Sequence, residues 1–482
     1  MNLAMILDMA ADGLADRIAI GSRDGGLTYG ELREVARTVG HALTEAGAST
    51  LALAQPGGLA VPAALFGAAW GGASYAPLNY RLPAASLQAS LDRLPSPQLI
   101  GAGELGGVPA DEWLARARRP SEEPPPAGYP EDPANPAILL LTSGTSSAPK
   151  TAVLDHNHLL SYIFNTGEFA SADEDEAILL AVPPFHIAGV AAVLSATWTG
   201  RRVVPLPAFA AEAWLELARR EQITHAFVVP TMLARVVAVL EADGAAAPPL
   251  RALAYGGARM PAPVLERALR LFPETEFANA YGLTETSSTI AVLGPDEHRA
   301  AIASEDPAGK ARLASVGRPV PGIEVRIVDD EIHVRGEQVA GRYLNRAGSL
   351  DGDGWLATGD RGRLDSDGYL YVEGRLDDLI IRGGENISPA EIEDVLLRHP
   401  SVATVAVVGL PDEEWGEKVA AAVVAVPGQE VDAAELSAWA RQQLGSLKAP
   451  SIIDVRVDLP TTATGKVLRR QIRDELSPGR TS

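Results

Sequence analysis

Short β-forming runs alternate with amphipathic helical patterns along most of the chain. Near the start, Thr28 and Glu31 form a capping-box pattern, apolar residues follow at helical spacing, and Gly47 ends the predicted helix. Apolar runs typical of strands lie at residues 51–54, 74–78, 222–229 and 250–254. This alternation predicts an α/β fold in which a mostly parallel sheet is covered by helices.

The pattern changes in the last third of the chain to short strands and tight turns. These strands are predicted at residues 315–321, 324–328, 331–334 and 368–374, with a hairpin at Asp329 and Asp330. A further unit follows Arg375, with helices predicted at 389–397 and 433–444 and strands at 402–410 and 419–426. We therefore predict two domains, residues 1–374 and a small α+β domain of residues 375–482.

The composition excludes several classes of function. The 482 residues carry a net charge of −21, and such an acidic surface disfavours nucleic acids and anionic membranes. Because the chain has no cysteine, it has no disulfide, thiolate metal ligand or cysteine nucleophile, and thioester chemistry would need an external thiol. The start resembles no signal peptide, and no run reaches the ~20 apolar residues of a membrane span. We expect a cytoplasmic protein that neither spans a membrane nor binds nucleic acid.

A hydroxyl-rich loop, which we call the phosphate loop (residues 142–150), connects two apolar strands. Its hydroxyl and main-chain N–H groups suit phosphate oxygens, and its last residue adds positive charge. The residues expected to bind phosphate are Thr142, Ser143, Gly144, Thr145, Ser146 and Lys150. The loop is not a Walker P-loop, because it lacks the Gly-Lys-Ser/Thr ending and a following helix. A polar surface turn is the alternative interpretation of this motif alone.

A second motif, at residues 280–286, combines an aromatic ring, a glycine, hydroxyl groups and a carboxylate. Tyr281 could stack on a base, and Gly282 permits close approach of a ligand. Glu285 could hold Mg²⁺, which prefers hard oxygen ligands. In isolation the motif could equally be a loop with an incidental tyrosine.

The third and fourth motifs lie towards the C-terminus. Residues 354–360 end on Asp360, which could accept hydrogen bonds from ribose hydroxyls, and Arg375 could add a donor to the same sugar. Residues 460–469 carry Lys466 after Gly465. Taken singly, these residues could be solvated surface groups.

The order and spacing of the four motifs resemble those of the ANL superfamily, which contains acyl- and aryl-CoA synthetases, peptide-synthetase adenylation domains and firefly luciferase. The resemblance covers nearly the whole chain, from residues 27–32 to Lys466. It implies a large N-terminal domain of parallel-rich sheets covered by helices plus a distorted β-barrel, and a small mobile α+β C-terminal lid hinged near Asp377. It also implies an AMP-forming acid–thiol ligase that uses ATP, Mg²⁺ and CoA.

The resemblance assigns a role to each motif. The phosphate loop would hold the β- and γ-phosphates, Thr284 the α-phosphate and Glu285 the magnesium ion. Asp360 and Arg375 would bind the ribose, and Lys466 would catalyse adenylation. The remaining nucleotide-binding residues, which include those that enclose adenine, would be Gly256, Gly257, Ala258, Ala280, Tyr281 and Gly282. Gly383 and Gly384 would face the pantetheine arm of CoA in the thioester-forming step.

The same resemblance locates the acyl pocket. His186 would touch the substrate carboxylate or gate the thiol tunnel, although a structural histidine at a strand end is the alternative. The pocket is expected to be lined by Phe185, His186, Tyr255, Gly257, Gly282, Leu283 and Ser287. Its small residues leave space for an aryl ring or a medium-length chain, and no basic residue in these segments would pair a second carboxylate.

The sequence is compatible with more than one final acceptor. A carrier-protein pantetheine, an amine or another small nucleophile could replace CoA, because the adenylation residues would look the same. The acidic surface fits poorly with docking onto an acidic carrier protein and favours free CoA. A catalytically silent nucleotide-binding regulator is the third alternative, and the presence of Lys466, Glu285 and Asp360 argues against it.

Overall fold

The computed structural model describes residues 1–119, 128–131, 135–142, 150–426, 428–462 and 467–477. The helices of these ranges are α1 (Ala4–Gly13), α2 (Tyr29–Ala46), α3 (Ala60–Trp70), α4 (Ala84–Leu91), α5 (Ala110–Ala117), α6 (His156–Thr166), α7 (Ile187–Thr199), α8 (Ala211–Arg220), α9 (Pro230–Asp243), α10 (Ala262–Leu271), α11 (Pro295–Ala303), α12 (Pro307–Ala311), α13 (Pro389–Leu396), α14 (Ala433–Lys448) and α15 (Arg469–Leu476).

The strands follow the same order along the chain. They are β1 (Ile18–Ile20), β2 (Leu27–Thr28), β3 (Thr50–Ala54), β4 (Ser74–Pro77), β5 (Pro97–Gly101), β6 (Pro136–Thr142), β7 (Lys150–Asp155), β8 (Ala177–Leu180), β9 (Arg202–Pro205), β10 (His225–Val228), β11 (Ala252–Gly256), β12 (Glu276–Leu283), β13 (Ser288–Leu293), β14 (Arg318–Pro319), β15 (Glu324–Val328), β16 (Glu331–Arg335), β17 (Arg342–Tyr343), β18 (Leu356–Leu364), β19 (Leu370–Arg375), β20 (Ile380–Arg382), β21 (Glu385–Ile387), β22 (Val402–Asp412), β23 (Gly416–Ala425) and β24 (Ile452–Arg456).

Two large sheets build most of the N-terminal domain. One has the strand order β14-β13-β12-β11-β10-β8-β9-β1-β2, and the other has the order β17-β7-β6-β4-β3-β5. The pairs from β9 through β8, β10 and β11 to β12 are parallel, as are those joining β5, β3, β4 and β6. Helices bury apolar residues against both sheets. The predicted α/β architecture is therefore confirmed.

The third sheet of this domain has the order β15-β16-β18-β19 and is antiparallel throughout. Two main-chain hydrogen bonds of 2.8 Å, from Val316 to Leu370 and from Leu370 to Gly317, tie its last strand to the segment that enters β14. This is the part of the fold where the resemblance implies a distorted barrel. The sheet matters for function because β18 and β19 carry Asp360 and Arg375.

Local sequence signals place several element ends. The Thr28 hydroxyl accepts from the Glu31 N–H at 3.1 Å, the Glu31 carboxylate accepts from the Thr28 N–H at 2.9 Å, and α2 begins at the next residue. Gly47, with φ of 62°, ends this helix as predicted. The strand predicted at 222–229 is shorter than expected, because Gln222 adopts a φ of 51° in the turn after α8 and β10 starts only at His225.

The C-terminal part has its own apolar core around β22 and β23, covered by α13 and α14. It contacts the larger part near the junction: the Ser388 hydroxyl donates to the Glu373 carbonyl at 2.9 Å, and Arg259 pairs with Asp394 of α13. The exact domain limits and the hinge at Asp377 stay predictions. In the described ranges, no helix is long and apolar enough to cross a membrane.

Candidate active site

The predicted ribose-binding pair is formed. Asp360 on β18 lies directly opposite Arg375 on β19, and the Arg375 Nη1 donates to the Asp360 Oδ1 at 3.0 Å and to the Thr358 carbonyl at 3.2 Å. The Tyr281 hydroxyl donates to the other carboxylate oxygen, Oδ2, at 2.6 Å. Burial, and then the Asp360 carboxylate, hold the pKa of Tyr281 well above its usual value, so its hydroxyl keeps its proton. Two motifs that are distant in sequence thus share one hydrogen-bond network.

The predicted adenine-binding loop follows β11, next to the strand that carries Tyr281. Gly256 pairs with Ala280 of β12, and a Cβ atom at Gly256 would lie 2.2 Å from the Ala280 carbonyl oxygen. Only glycine therefore allows the two strands to approach this closely. The next residues, Gly257 and Ala258, are exposed. The loop and Tyr281 consequently lie side by side at the carboxyl ends of parallel strands, where open α/β sheets bind ligands.

Glu285 lies in a turn of 3-10 helix, Thr284–Thr286, between β12 and β13. The turn requires a glycine before it, because a Cβ at Gly282 would lie 1.8 Å from the Ser288 carbonyl oxygen. The Glu285 carbonyl accepts from the Ala340 N–H at 2.8 Å, and its carboxylate Oε1 accepts from the Tyr343 hydroxyl at 2.7 Å. Within the described ranges its second oxygen, Oε2, has no hydrogen-bond donor. Glu285 is partly exposed, and a hard carboxylate oxygen of this kind fits the predicted magnesium site.

The two ends of the phosphate loop face each other across the β6–β7 pair. Thr142 is the register partner of Lys150, and the Thr142 hydroxyl donates to the Lys150 carbonyl at 3.4 Å. The Lys150 Nζ lies 5.2 Å from the centre of the Tyr343 ring. Tyr343, which the sequence analysis missed, therefore joins the loop to the Glu285 turn. The remaining predicted phosphate-binding residues, Ser143, Gly144, Thr145 and Ser146, lie outside the described residues.

Lys466 also lies outside the described residues, so its predicted catalytic role stays a prediction. On either side of the segment, Thr461 and Val467 form an antiparallel bridge. Three residues after Lys466, Arg469 pairs with Glu393 through both its terminal nitrogens and also donates to the Val407 carbonyl at 3.3 Å. These contacts attach the start of α15 firmly to the C-terminal core.

His186 immediately precedes α7, and its ring packs 4.6 Å from that of Phe185. Its Nε2 atom is buried and has no hydrogen-bond partner in the part of the chain that the structure describes. Burial, assisted by the positive charge of Arg81, lowers the pKa of His186 to about 4, so the ring is neutral at pH 7. A buried polar atom without a partner is uncommon in a purely structural residue and suits one that meets a ligand. Arg81 is a cation near the predicted pocket that the sequence analysis did not identify.

The other predicted pocket residues differ in what they can offer. The Tyr255 side chain is fully buried in the core, where its hydroxyl lies 2.9 Å from the His298 Nε2. Its ring therefore does not line an open pocket, and only its main chain leads to the glycine loop. Ser287 is also fully buried, with a φ of 56° and a hydroxyl that lacks a partner within the described residues. Leu283 is partly exposed at the end of β12.

Gly383 and Gly384 form the two-residue turn between β20 and β21, with φ of 60° and 83°. Both angles fall where glycine is favoured in a type I′ hairpin. The Gly383 N–H donates to the Trp415 carbonyl at 2.8 Å, and 43% of the Trp415 residue surface is exposed. The predicted pantetheine-facing glycines and the exposed tryptophan thus form one surface of the C-terminal domain.

Comparison with known proteins gives the family context of this site. The sequence matches the AMP-binding enzyme family over residues 7–344 and the AMP-binding enzyme C-terminal domain over residues 391–466. A feruloyl-CoA synthase from Amycolatopsis is 35% identical, with 94% of this chain and 95% of the relative covered. A fatty acid–[acyl-carrier-protein] ligase from Streptomyces coeruleorubidus is 33% identical, with coverage of 93% and 91%.

Solved structures of o-succinylbenzoate CoA synthetase from Bacillus subtilis share the fold at 29% identity. The complex with the acyl-adenylate intermediate OSB-AMP has a TM-score of 0.84, covering 99% of this chain and 98% of that chain. The complex with ATP and magnesium has a TM-score of 0.83, covering 97% and 99%. These likenesses confirm the predicted superfamily, enzyme class and fold. The chain belongs to the AMP-binding enzyme family of adenylate-forming ligases.

Proposed function

We propose that this chain activates a carboxylic acid with ATP and Mg²⁺ to an acyl-adenylate and then transfers the acyl group to the thiol of CoA. The observation that carries the proposal is that side chains of three sequence motifs lie close together. Tyr281, Asp360 and Arg375 form one hydrogen-bonded group, and Glu285 follows four residues after Tyr281. Lys150 is linked to Glu285 by Tyr343, whose ring contacts the lysine ammonium and whose hydroxyl donates to the Glu285 carboxylate. In ATP, the ribose would meet Asp360 and Arg375, the adenine would meet Tyr281, and the phosphates with their magnesium ion would meet Lys150 and Glu285.

In the first step, a substrate carboxylate oxygen would attack the α-phosphorus, and the bond to pyrophosphate would break. No general base is required, because a carboxylic acid is already ionised at neutral pH. The chain's task is to hold two anions together and to stabilise the charge that develops on the phosphoryl oxygens. Thr284 and Lys466 would face the α-phosphate, and Lys150 with the phosphate loop would face the pyrophosphate. Magnesium held by Glu285 would supply further positive charge to these oxygens.

The nucleoside half would be held by groups that the fold has already arranged. The Asp360 carboxylate, fixed by Arg375 and Tyr281, would accept hydrogen bonds from the ribose. The adenine would lie between Tyr281 and the main chain of Gly256 and Gly257. Because these groups are prearranged, less ordering is needed when the nucleotide binds.

In the second step, the thiol would lose its proton to solvent, its sulfur would attack the acyl carbonyl carbon, and the bond to AMP would break. The C-terminal domain would rotate about a hinge near Asp377, so that Lys466 is replaced by the Gly383–Gly384 turn. The neutral ring of His186, with its unpartnered Nε2, would contact the substrate carboxylate or the entering thiol. We also propose that the reaction takes place in the cytoplasm, where ATP and CoA are available.

A carrier-protein pantetheine or an amine is the alternative acceptor, since one of the relatives is an acyl-carrier-protein ligase by name. The net charge of −21 opposes docking of an acidic carrier and supports free CoA. The pocket residues and the relatives together favour an aryl acid or a medium-chain fatty acid.

The test is a panel of aryl and fatty acids incubated with ATP and Mg²⁺, offered CoA, a phosphopantetheinylated carrier protein or an amine, and analysed by mass spectrometry. An acid-dependent CoA thioester with equimolar AMP supports the proposal. Acyl-adenylate that reacts only with the carrier or the amine would move the function to that acceptor. Failure of every acid to release pyrophosphate would contradict the proposed reaction.

A further inference from the structure

A short segment joins the phosphate loop to the Glu285 turn, and we call it the brace (residues 338–344). At its start, the Gln338 Nε2 donates to the carbonyls of Thr286 and Thr289 at 3.1 and 2.8 Å. At its end, β17 pairs with β7, and the Leu344 N–H donates to the Thr151 carbonyl at 2.9 Å. The brace therefore connects the six-stranded sheet, which carries Lys150, to the nine-stranded sheet, which leads to Glu285.

Tyr343 is the residue of the brace whose side chain contacts both functional groups. Its hydroxyl donates to the Glu285 Oε1 at 2.7 Å, and its ring centre lies 5.2 Å from the Lys150 Nζ. An ammonium at this distance from an aromatic face is attracted by the negative electrostatic potential of that face, which comes from the ring quadrupole. Burial and the neighbouring carboxylate raise the pKa of the Tyr343 phenol, so it remains a donor. The Tyr343 side chain thus contacts a cation, Lys150, with its ring face and an anion, Glu285, with its hydroxyl group.

We propose that Tyr343 is a positioning residue that orients the Glu285 carboxylate for Mg²⁺ and the Lys150 ammonium for the phosphates. The hydroxyl donates to one carboxylate oxygen, Oε1, so the other, Oε2, would be the one to bind the metal. The ring restricts a lysine that would otherwise sample many rotamers. The proposal rests on the function proposed above, because it assumes that Glu285 and Lys150 meet magnesium and phosphate.

The other contacts of the brace separate this role from a structural one. The Glu285 main chain is already fixed by the Ala340 N–H, and the turn around it by the Gln338 amide. Among the described residues, the Tyr343 hydroxyl makes no main-chain hydrogen bond, and its side-chain partners are the Glu285 carboxylate and Ser349. Mutation of a residue that hydrogen-bonds to a metal-binding carboxylate typically lowers metal affinity by about 10- to 100-fold.

The experiment measures binding without turnover. The non-cleavable analogue α,β-methylene-ATP is titrated calorimetrically into the full chain at a series of Mg²⁺ concentrations, with no acid present. For Tyr343→Phe, which keeps the ring but loses the hydroxyl, the Mg²⁺ concentration at half-maximal enhancement of binding should rise about tenfold. Affinity at saturating Mg²⁺ should stay within about twofold of the wild-type value, because Lys150 keeps its aromatic partner.

Two further variants complete the design. Tyr343→Leu removes the ring as well, so analogue binding should stay weaker than in the wild type even at saturating Mg²⁺. Tyr371→Phe is the matched control. The Tyr371 hydroxyl also donates to a carboxylate, Oδ2 of Asp365, with a distance of 3.3 Å between the two oxygens, and this pair does not belong to the Glu285 site. The control should leave the Mg²⁺ dependence unchanged.

The outcomes are distinguishable. If the wild type binds the analogue without any Mg²⁺ dependence, the proposed function itself fails. If the wild type depends on Mg²⁺ but Tyr343→Phe has the same dependence, the positioning role is overturned. Weaker binding by the same factor at every Mg²⁺ concentration, with a lower melting temperature, would make Tyr343 a structural residue and would also overturn it.

Discussion

Asp360 and Arg375 face each other across two antiparallel strands, with the guanidinium Nη1 3.0 Å from the carboxylate Oδ1 and only 7% of the Asp360 side chain exposed. Such a shielded carboxylate is stabilised by its cation and by the Tyr281 hydroxyl. It therefore offers a fixed acceptor to an entering ribose.

Asp360→Asn should raise the KM for ATP in pyrophosphate exchange. The variant keeps the shape of the side chain but loses its charge, and hydrogen bonds to charged groups contribute about 1.5–3 kcal/mol. We expect an increase of roughly tenfold to a hundredfold in KM. The KM for the acid should change much less.

Glu324→Gln is the control for this prediction. Glu324 pairs with Arg335 on the same sheet, but 60% of its side chain is exposed. Because solvent screens such an exposed pair, both the KM for ATP and the stability should remain close to wild type. An unchanged ATP KM in Asp360→Asn would remove Asp360 from the nucleotide site.

Gly383→Ala should impair thioester formation more than adenylation. Gly383 has a φ of 60°, and a Cβ there would lie 2.9 Å from the Trp415 ring. The added methyl group should displace the turn that is proposed to face pantetheine. We expect the rate of thioester formation to fall by at least about tenfold, by analogy with a small misplacement of a catalytic element. Single-turnover measurements of acyl-adenylate and thioester separate the two steps.

Gly368→Ala tests whether backbone strain alone explains such a loss. Gly368 has a φ of 81° in a hairpin of the larger domain, and a Cβ there would meet no atom within 4 Å. The control should be destabilised without a selective loss of the second step. If Gly383→Ala slows both steps equally, the assignment of the turn to thioester formation is wrong.

The lowered pKa of His156 should make the free energy of unfolding decrease as the pH falls below neutrality. Its Nδ1 accepts from the Leu3 N–H at 3.1 Å, and burial, with the N-terminal charge, lowers its pKa to about 4. Between pH 6.5 and 4 the unfolded chain binds a proton at this site that the native chain does not, so stability falls as the pH falls.

His156→Asn keeps an acceptor for the Leu3 N–H but cannot be protonated. The loss of unfolding free energy between pH 7 and pH 5 should therefore be smaller than in the wild type by about 2 kcal/mol. Denaturant unfolding at the two pH values measures this difference. Equal losses in wild type and His156→Asn would refute the assignment.

Much of the fold was predictable because its signals are local. The capping box at Thr28 and Glu31 and the terminal glycine at 47 place α2 to within a residue. The hairpin at Asp329 and Asp330, both with positive φ, was equally clear. The predicted start of β10, at residue 222, was wrong, because Gln222 adopts a turn conformation that depends on packing with the rest of the fold.

The site was predictable residue by residue but not as a network. The motifs around Tyr281 and Asp360 were recognised, whereas their hydrogen bond depends on how two separate sheets meet. Tyr343 carries no local motif, and its role follows from the pairing of β17 with β7 and from a contact with Glu285, 58 residues earlier. The sequence alone also did not indicate that the Tyr255 ring is buried, because its partner His298 belongs to a distant helix.

Adenylate formation is tested most directly by acid-dependent exchange of labelled pyrophosphate into ATP, measured with the wild type and with Lys466→Ala. Exchange should require both Mg²⁺ and a carboxylic acid, and it should fall by about a hundredfold or more in the variant. Exchange at the wild-type rate in Lys466→Ala would contradict the catalytic assignment. Absence of exchange in the wild type with every acid of the panel would contradict adenylate formation itself.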